Sequence, residues 1–157
     1  MASDLELIRE LYRYNAKGRR GYLRKIWRLP PKQRYRNRGA SFPSMVDIYM
    51  HILDAYRWWF ITIVQKKGPV EEFPLGHRYT RAEAIRETNK VDRMLSRILR
   101  ELRPTDLARK FGFPPPERDK VTFREILLHM IEEELQHKGE LNALLWQIDV
   151  DAPVHSF

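Results

Sequence analysis

Four stretches of the chain repeat apolar residues at the three- and four-residue spacing of an amphipathic helix, and proline or glycine separates them. Helices are predicted over residues 4–28, 44–67, 80–103 and 122–148. Pro30-Pro31 ends the first helix, and Gly68-Pro69 ends the second. Thr80 and Thr122 each precede a glutamate by three residues, which is the spacing of a capping box at a helix start.

No alternating strand pattern of useful length appears between these helices, so the chain is predicted to be all-α. Four helices of about 22 to 27 residues with short connections pack most simply as a four-helix bundle. A rigid, proline-rich run at 111–116 connects the third helix to the fourth. The 157 residues fit a single domain, predicted to span 1–157, which at this size buries roughly two thirds of its unfolded surface.

The composition restricts the chemistry that the chain can carry. It has no cysteine, so disulfides and thiolate ligands are excluded, and a bound metal must be held by nitrogen and oxygen. The first residues lack a basic segment followed by an apolar core, which predicts a cytoplasmic protein without a secretory signal. Polar residues interrupt the most apolar stretch, 45–64, at Asp47, His51, Asp54 and Arg57, so a buried helix is predicted there and no membrane span.

Positive charge is concentrated in one segment of the chain. The formal net charge is +8, and residues 9–38 carry twelve lysines and arginines against one acid, Glu10, whereas the rest is close to neutral. Basic residues interleaved with tyrosine and tryptophan are typical of phosphate contact and base stacking, so one hypothesis is a non-catalytic nucleic-acid-binding protein. The basic patch predicted for that role comprises Arg13, Lys17, Arg19, Arg20, Arg24, Lys25 and Arg28.

Two other interpretations of the basic segment stay open. It forms an ordinary solvated face, pairing with acids of the fourth helix or of a dimer partner, or it serves as a non-catalytic adaptor at a membrane surface. The second is disfavoured, because Gly18, Gly21 and the Pro30-Pro31 stop interrupt a long helix lying on a membrane.

The fourth helix carries two ionisable residues on its apolar stripe. At about 100° per residue, five apolar residues fall within about 60° of one another and define that stripe: Ile126, Met130, Leu141, Leu144 and Ile148. Counted from Ile126, Glu133 falls at about 340° and His137 at about 20°, so both are predicted to face the interior. An unpaired carboxylate there would be costly, and a partner inside the bundle is therefore expected.

His51 on the second helix is the predicted partner. It shares an apolar stripe with Ala55, whose small side chain leaves space one turn along. His51, Glu133 and His137 together supply three nitrogen and oxygen ligands and leave further positions open, as in a catalytic metal site. The alternative is a buried, hydrogen-bonded cluster that only orders the core.

His129 extends the row of residues four apart to 129, 133 and 137. A rise of about 1.5 Å per residue separates His129 from His137 by roughly 12 Å along the axis, which is too far for one ion to bridge. His129 is therefore predicted to be a pocket wall or a boundary residue, not a ligand.

Three segments, taken in order, match the pattern of a known family. The fourth helix contains Glu132-Glu133-Glu134-Leu135-Gln136-His137-Lys138-Gly139-Glu140, the first contains Leu11-Tyr12-Arg13-Tyr14-Asn15-Ala16, and the second contains His51 with Trp58-Trp59. The chain resembles the DinB-like and YfiT-like group of bundle proteins, whose last helix commonly reads Glu-His-Glu, two residues, then His-Arg-Gly-Gln or His-Arg-Gly-Glu. The resemblance spans almost the whole chain.

The resemblance implies a four-helix bundle, frequently a homodimer, with a divalent metal held by one histidine of the second helix and two residues of the fourth. By that match the metal ligands are His51, Glu133 and His137, although Glu133 stands where the family usually has histidine. Two histidines and one carboxylate suit zinc, nickel, iron or manganese.

The resemblance also implies an activity. Characterised relatives include thiol transferases and thiol-dependent isomerases, so the leading hypothesis is a metal-dependent transferase or hydrolase whose substrate is a small molecule, with a thiol as one candidate. The residues predicted to form the pocket are His129, Trp58, Tyr14 and Asn15. Gly139 is unusual within a helix and predicts a close approach by a neighbouring helix or ligand.

Overall fold

The computed structural model describes residues 3–112 and 120–153, so the proline-rich run lies outside the described residues from position 113 onward. Four long helices form a bundle, and the predicted all-α fold is confirmed. The helices are α1 (Asp4–Arg28), the single turn α2 (Pro31–Arg34), α3 (Met45–Arg57), α4 (Arg81–Glu101) and α5 (Phe123–Trp146).

Each long helix begins at a capping box. The side chains of Ser3, Ser44, Thr80 and Thr122 each accept a hydrogen bond from the backbone amide three residues ahead, and the acid at that position bonds back to the cap. The helices therefore start where the sequence predicts, because the cap residues are local signals that tertiary packing does not need to supply.

The second predicted helix changes its winding halfway. It is α-helical to Arg57 and continues as a π-helix over Trp58–Val64, ending three residues before the predicted boundary. Beyond it the backbone amide of Lys67 still bonds to the carbonyl of Ile61, and Lys66 has a positive φ of 54°. A π-helix has wider turns than an α-helix and often occurs at functional sites.

A small antiparallel hairpin joins α4 to α5 and was not predicted. A 3₁₀ turn (Pro104–Ala108) leads into β1 (Lys110–Gly112), which pairs with β2 (Lys120–Thr122) so that Phe111 lies opposite Val121. Three-residue strands are too short for alternation to be recognised in a sequence. The hairpin anchors Phe111 against Phe123 at the start of α5, with 5.4 Å between ring centroids.

The buried face of α5 is rotated from the predicted stripe. It includes Leu127, Ile131 and Leu145 as well as four of the five predicted apolar residues, and its fully buried acid is Glu134. The fifth, Ile148, is only partly buried and lies beyond the end of α5. Glu133 lies at the edge of this face and is only partly buried, so its predicted position on the centre line is wrong. The reason is that α5 packs against both α1 and α3, and this broadens its buried face on the side of Glu134.

Two other expectations concern the packing at Gly139 and the possibility of a membrane span. Gly139 is exposed, and a Cβ placed on it would have no heavy atom within 4 Å, so the predicted close approach of a neighbouring helix at this glycine is wrong. Among the described residues, no helix has both the length and the apolar character needed to cross a bilayer.

Candidate metal centre

Three side chains from two helices converge beside a cleft. His51 of α3 and Glu133 and His137 of α5 have ligand atoms that all lie within 4.8 Å of one another. The Oε1 atom of Glu133 lies 3.3 Å from Nε2 of His51 and 3.2 Å from Nε2 of His137. The three residues predicted as ligands therefore meet, with one carboxylate oxygen between two imidazoles.

Helix spacing and a loop phenylalanine produce this arrangement. Glu133 and His137 lie four residues apart, so their side chains occupy the same side of α5 one turn apart. Phe42, in the loop before α3, stacks on His51 at 4.1 Å and meets His137 edge-on at 5.8 Å between centroids. His137 is buried, whereas the side chains of His51 and Glu133 are 29% and 24% exposed, so a ligand can reach them from the cleft.

A second carboxylate fixes the orientation of His137. Its Nδ1 atom lies 2.8 Å from Oε2 of Glu140, and Glu140 also accepts hydrogen bonds from the amide and the hydroxyl of Ser41 at 2.8 Å and 2.7 Å. An ionised carboxylate can only accept, so His137 donates to Glu140 from Nδ1, and this orientation points Nε2 towards Glu133. Histidines that bind metals are commonly held by a carboxylate in this way.

The surroundings keep these groups in the forms that a metal site needs. Burial lowers the pKa of His51 below its ordinary value of 6.5, and the hydrogen bond to Glu133 opposes this only in part. Burial alone would raise the pKa of Glu140, but the hydrogen bonds from Ser41 and His137 outweigh burial and lower that pKa below 4.5. At neutral pH, His51 is therefore neutral and Glu140 is ionised.

The donor set fits a divalent ion. Metal bonds of about 2.0–2.2 Å to nitrogen and oxygen put neighbouring ligand atoms roughly 3–3.5 Å apart. The two distances from Glu133 to the imidazole nitrogens fall in this range. Two histidines and one carboxylate would leave coordination positions for a further ligand.

The cleft beside the three residues has a volume of about 460 Å³. Its walls are mostly apolar and aromatic, and the residues that give them this character are Phe42, Met50, Ala55, Trp58, Trp59, Phe73 and Leu75. A cleft of this size with apolar walls and a few convergent polar groups is typical of a small-molecule site.

The loop between the π-helix and α4 forms one wall of this cleft. Side chains of α3 hold the main chain of this loop in place. Asp47 accepts a hydrogen bond from the amide of Gly76 at 2.7 Å, and Asp54 accepts one from the amide of Phe73 at 2.7 Å. Arg57 donates to the carbonyl oxygen of Glu71 at 2.9 Å. All three contacts reach main-chain atoms of the loop.

The four residues predicted for the pocket separate into two pairs. His129 and Trp58 line the cleft, and the ring of His129 lies 5.4 Å from that of Trp59. Asn15 is buried inside the bundle and accepts a hydrogen bond from Lys138 at its carbonyl oxygen, so its predicted position at the pocket is wrong. Tyr14 is not among the residues that line the cleft either. Both lie on α1, whereas the walls come from the loop before α3, α3 itself, the π-helix, the loop after it and α5.

A second polar cluster lies one residue away from the candidate metal centre. Both oxygens of the fully buried Glu134 accept hydrogen bonds from Arg19, at 3.2 Å and 3.0 Å, and Lys138 lies 3.0 Å from Oε1. Tyr56 donates to Oε2, and Asp92 of α4 accepts from Arg19 at 2.6 Å. The cluster therefore ties α1, α3, α4 and α5 together at one level of the core.

The charges in this buried cluster balance locally. Burial alone would raise the pKa of Glu134, but Arg19 and Lys138 lower it below 4.5. Burial lowers the pKa of Lys138, and the adjacent Glu134 opposes this shift. Burial also raises the pKa of Tyr56 well above 10, and the charge of Glu134 adds to this effect. Glu134 therefore stays ionised as the partner of two cations.

The predicted basic patch is divided by this packing. Arg19 is fully buried in the cluster, so its place on an exposed patch is wrong. Arg20 is partly buried and pairs with Asp92, and Lys25 is half-buried. The exposed members are Arg13, Lys17, Arg24 and Arg28.

Sequence reasoning missed three residues of the candidate centre and the whole buried cluster. Glu140 lies three residues after His137 and could have been found by helical spacing. Phe42 and Ser41 are in an irregular loop, whose fold no periodicity indicates. Arg19 and Glu134 carry no signal of their own, because each looks like an ordinary surface charge until the other is placed against it.

The sequence of the chain also matches a known family. Residues 16–141 match the family model for the DinB superfamily, a range that contains all three candidate ligands, the whole of α3 and α4, about half of α1 and most of α5. No curated protein matches the chain. The resemblance found in the sequence is confirmed, and the chain belongs to the DinB superfamily.

Proposed function

We propose that the protein is a divalent-metal-dependent enzyme that acts on a small molecule, with His51, Glu133 and His137 as the metal ligands. The observation that carries this proposal is the meeting of three ligand atoms within 4.8 Å beside an apolar cleft. A divalent ion held there would supply Lewis-acid chemistry to a substrate in the cleft. Zinc, nickel, iron and manganese all suit two histidines and a carboxylate.

The residues around the three ligands support a binding site more than a structural one. Glu140 holds His137 through Nδ1, which presents Nε2 towards Glu133. Phe42 covers the imidazoles on one side, so water reaches them mainly from the cleft. A structural metal site is normally closed by a fourth protein ligand, whereas these three leave room for a substrate atom.

The cleft supports a small, largely apolar substrate. Trp58, Trp59 and Phe73 offer flat surfaces for an aliphatic or aromatic group, while the ligand positions receive its polar end. A low-molecular-weight thiol is one such molecule, and the reaction would be a transfer or a hydrolysis. In either case the chain's residues orient the substrate and exclude water, and His129 lies at the rim.

The direct test is metal content. We expect about one divalent ion per chain in the purified protein after supply of zinc, nickel, iron or manganese, measured by elemental analysis. His51→Ala, Glu133→Ala and His137→Ala should each lose the ion, because each removes one of three ligands. His77→Ala is the matched control, since His77 is exposed and distant in sequence from the cluster, and it should keep the ion.

Two further variants test whether Glu133 is a metal ligand or only an acid that orders the core. Glu133→His restores the residue that the resemblance leads one to expect, so it should retain metal, with a shift towards ions that prefer nitrogen ligands. Glu133→Gln should bind far more weakly. A wild type that stays empty with all four metals, or a Glu133→Ala variant that binds as well as wild type, would contradict the proposal.

The substrate class needs its own measurement. In the cobalt-substituted protein, a thiol that coordinates the ion should change the visible absorption spectrum, whereas a substrate that occupies only the cleft should not. Competition by an apolar thiol and by the corresponding alcohol then distinguishes recognition of sulfur from recognition of the apolar group. If the spectrum is unchanged by thiols at millimolar concentration, the thiol is ruled out and a hydrolytic substrate becomes the hypothesis.

A further inference from the structure

Two rows of basic residues lie side by side on the face formed by α1 and α4. Each row repeats at three- and four-residue steps, which places its members on one side of a helix. The row on α1 comprises Arg13, Lys17, Arg20, Arg24 and Arg28, and the row on α4 comprises Arg86, Lys90, Arg93, Arg97 and Arg100. Half of this basic face therefore lies outside the segment 9–38 that is rich in charge.

Contacts between the helices fix the alignment of the rows. Arg9 near the start of α1 donates to the carbonyl oxygens of Leu99 and Leu102 near the end of α4, at 2.9 Å and 2.8 Å. Further along α1, Arg20 donates to Asn89 at 2.9 Å. The helices therefore run antiparallel, and the two rows overlap for about 17 Å at a rise of 1.5 Å per residue.

Most of the positive charges on this face are exposed and are not paired with acids within the described residues. Nine of the ten side chains are exposed, Arg20 being the partly buried one. Glu87 pairs with Arg86 and Lys90, and Asp92 pairs with Arg20 and with the buried Arg19. Six other arginines make no salt bridge within the part of the chain that the structure describes: Arg13, Arg24, Arg28, Arg93, Arg97 and Arg100.

A groove runs between the two rows. It consists of two adjoining clefts of about 460 Å³ and 360 Å³, which share the side chains of Arg20, Asp92, Ser96 and Arg100. Arg13 borders the groove on the α1 side, and Arg93 and Arg97 border it on the α4 side. Charges on both sides of a groove reinforce each other's field and attract extended anions.

We propose that this basic face binds the phosphate backbone of a nucleic-acid duplex. Its two parallel lines of guanidinium and ammonium groups can contact the two phosphate strands that border a groove of the duplex, over about five base pairs at 3.4 Å each. Arginine suits this role because its planar group donates to phosphate oxygens in pairs. The contacts reach only the backbone, so binding does not depend on sequence.

Other polyanions fit the face less well. Single strands are usually held by exposed aromatic rings that stack on bases, but Tyr12, the ring at the floor of the groove, is buried. A membrane surface is usually engaged by exposed apolar residues beside the bases. The large apolar side chains exposed in the described residues, Leu7, Leu75, Leu135 and Trp146, do not belong to either row.

The test is fluorescence anisotropy with labelled 20-base-pair duplexes of DNA and of RNA, which share the phosphodiester chemistry. With about six phosphate contacts, affinity should fall about 10³-fold between 50 and 200 mM salt. Binding of either duplex with this steep dependence supports the proposal. Absence of binding at 50 mM salt, tighter binding of a single strand, or binding only to vesicles containing phosphatidylserine would overturn it.

Two double variants with the same change of charge locate the contact. Arg93→Glu with Arg97→Glu alters the basic face outside the segment 9–38 and should weaken duplex binding at least 10-fold, with a shallower salt dependence. Lys32→Glu with Arg36→Glu alters that segment outside the two rows and should change affinity less than twofold. The opposite ranking would overturn the proposal. Thermal melting checks the fold, and the glutamine pair at 93 and 97 replaces the glutamates if they unfold the protein. The outcome does not depend on metal binding.

Discussion

Glu133 and Glu134 are neighbours on α5 and have opposite surroundings. Glu134 is fully buried, accepts hydrogen bonds from Arg19 and Tyr56, and lies 3.0 Å from the ammonium of Lys138. Glu133 is partly exposed and contacts two imidazoles, and no lysine or arginine pairs with it within the described residues. One carboxylate has its charge balanced by two fixed cations, whereas the other contacts only imidazole nitrogens.

This difference separates a structural cluster from a binding site. A buried acid with two cations and a hydroxyl has no capacity left for a ligand, and its contribution is to fix how four helices meet. A carboxylate between two imidazoles, open to a cleft, still has lone pairs that point at no proton. The unsatisfied acid is therefore the one to which an added cation would bring charge balance.

The largest difference between the two acids is expected when each is neutralised in turn. Glu134→Gln leaves Lys138 buried without a negative partner and leaves Arg19 with Asp92 alone, so it should lower the free energy of unfolding by about 3–5 kcal/mol. Glu133→Gln removes a partly exposed charge that balances no fixed cation and should change that free energy by less than about 1 kcal/mol in the metal-free protein. Urea denaturation followed by circular dichroism measures both.

A triple variant controls for the general cost of altering the core. Replacing Arg19, Glu134 and Lys138 together by methionine, leucine and methionine leaves no unpaired charge, so it should recover much of the stability lost in Glu134→Gln. If Glu134→Gln proves no more harmful than Glu133→Gln, the distinction between the two acids is wrong.

Variants of Glu140 test the candidate metal centre, because this residue orients the ligand His137. Glu140→Ala removes the acceptor that holds His137, so it should weaken metal affinity by about 10–100-fold while leaving all three ligands in place. Glu140→Gln should weaken it less, because the amide oxygen still accepts the hydrogen bond from Nδ1. Isothermal titration calorimetry with zinc gives both affinities. Equal losses in the two variants would indicate that the charge of Glu140, and not the orientation of His137, is what matters.

The smallest expected effect is the pH dependence carried by His51. Its pKa is lowered in the folded protein, mainly by burial, so below pH 6.5 the unfolded chain binds a proton more readily than the folded one. This part of the free energy of unfolding should therefore rise with pH and be lost as the solution is acidified through pH 6.5. We expect His51→Gln to flatten the pH profile of the metal-free protein relative to wild type, in denaturation curves between pH 5.5 and 7.5. A steeper profile in the variant would contradict the direction of the shift.

The sequence predicts the helices well because their signals are local. Ser44, Thr80 and Thr122 mark their helix starts with capping boxes, and Pro30-Pro31 ends α1 at Arg28 as predicted. The π-helical winding after Arg57 and the three-residue strands have no such marks, because they depend on what the rest of the bundle packs against them.

The candidate site is predictable only in part, for a related reason. Helical angles identify His137 as buried, but at 100° per residue Glu134 falls at about 80° from Ile126, inside the face that α1 and α3 cover jointly. Nothing local tells whether Glu133 or Glu134 turns inward. The choice depends on Arg19, more than 100 residues away in the sequence, which supplies the charge that makes burial of Glu134 possible.

The wall of the cleft has a consequence for how this site can diversify. Asp47, Asp54 and Arg57 hold the loop by hydrogen bonds to its main chain, so the conformation of the loop depends little on its side chains except at Gly76, whose φ of 76° favours glycine. Phe73 and its neighbours can then be exchanged for residues of other sizes and charges while the backbone stays in place. Such a loop lets evolution, or a protein engineer, alter substrate preference without rebuilding the helices that support the ligands.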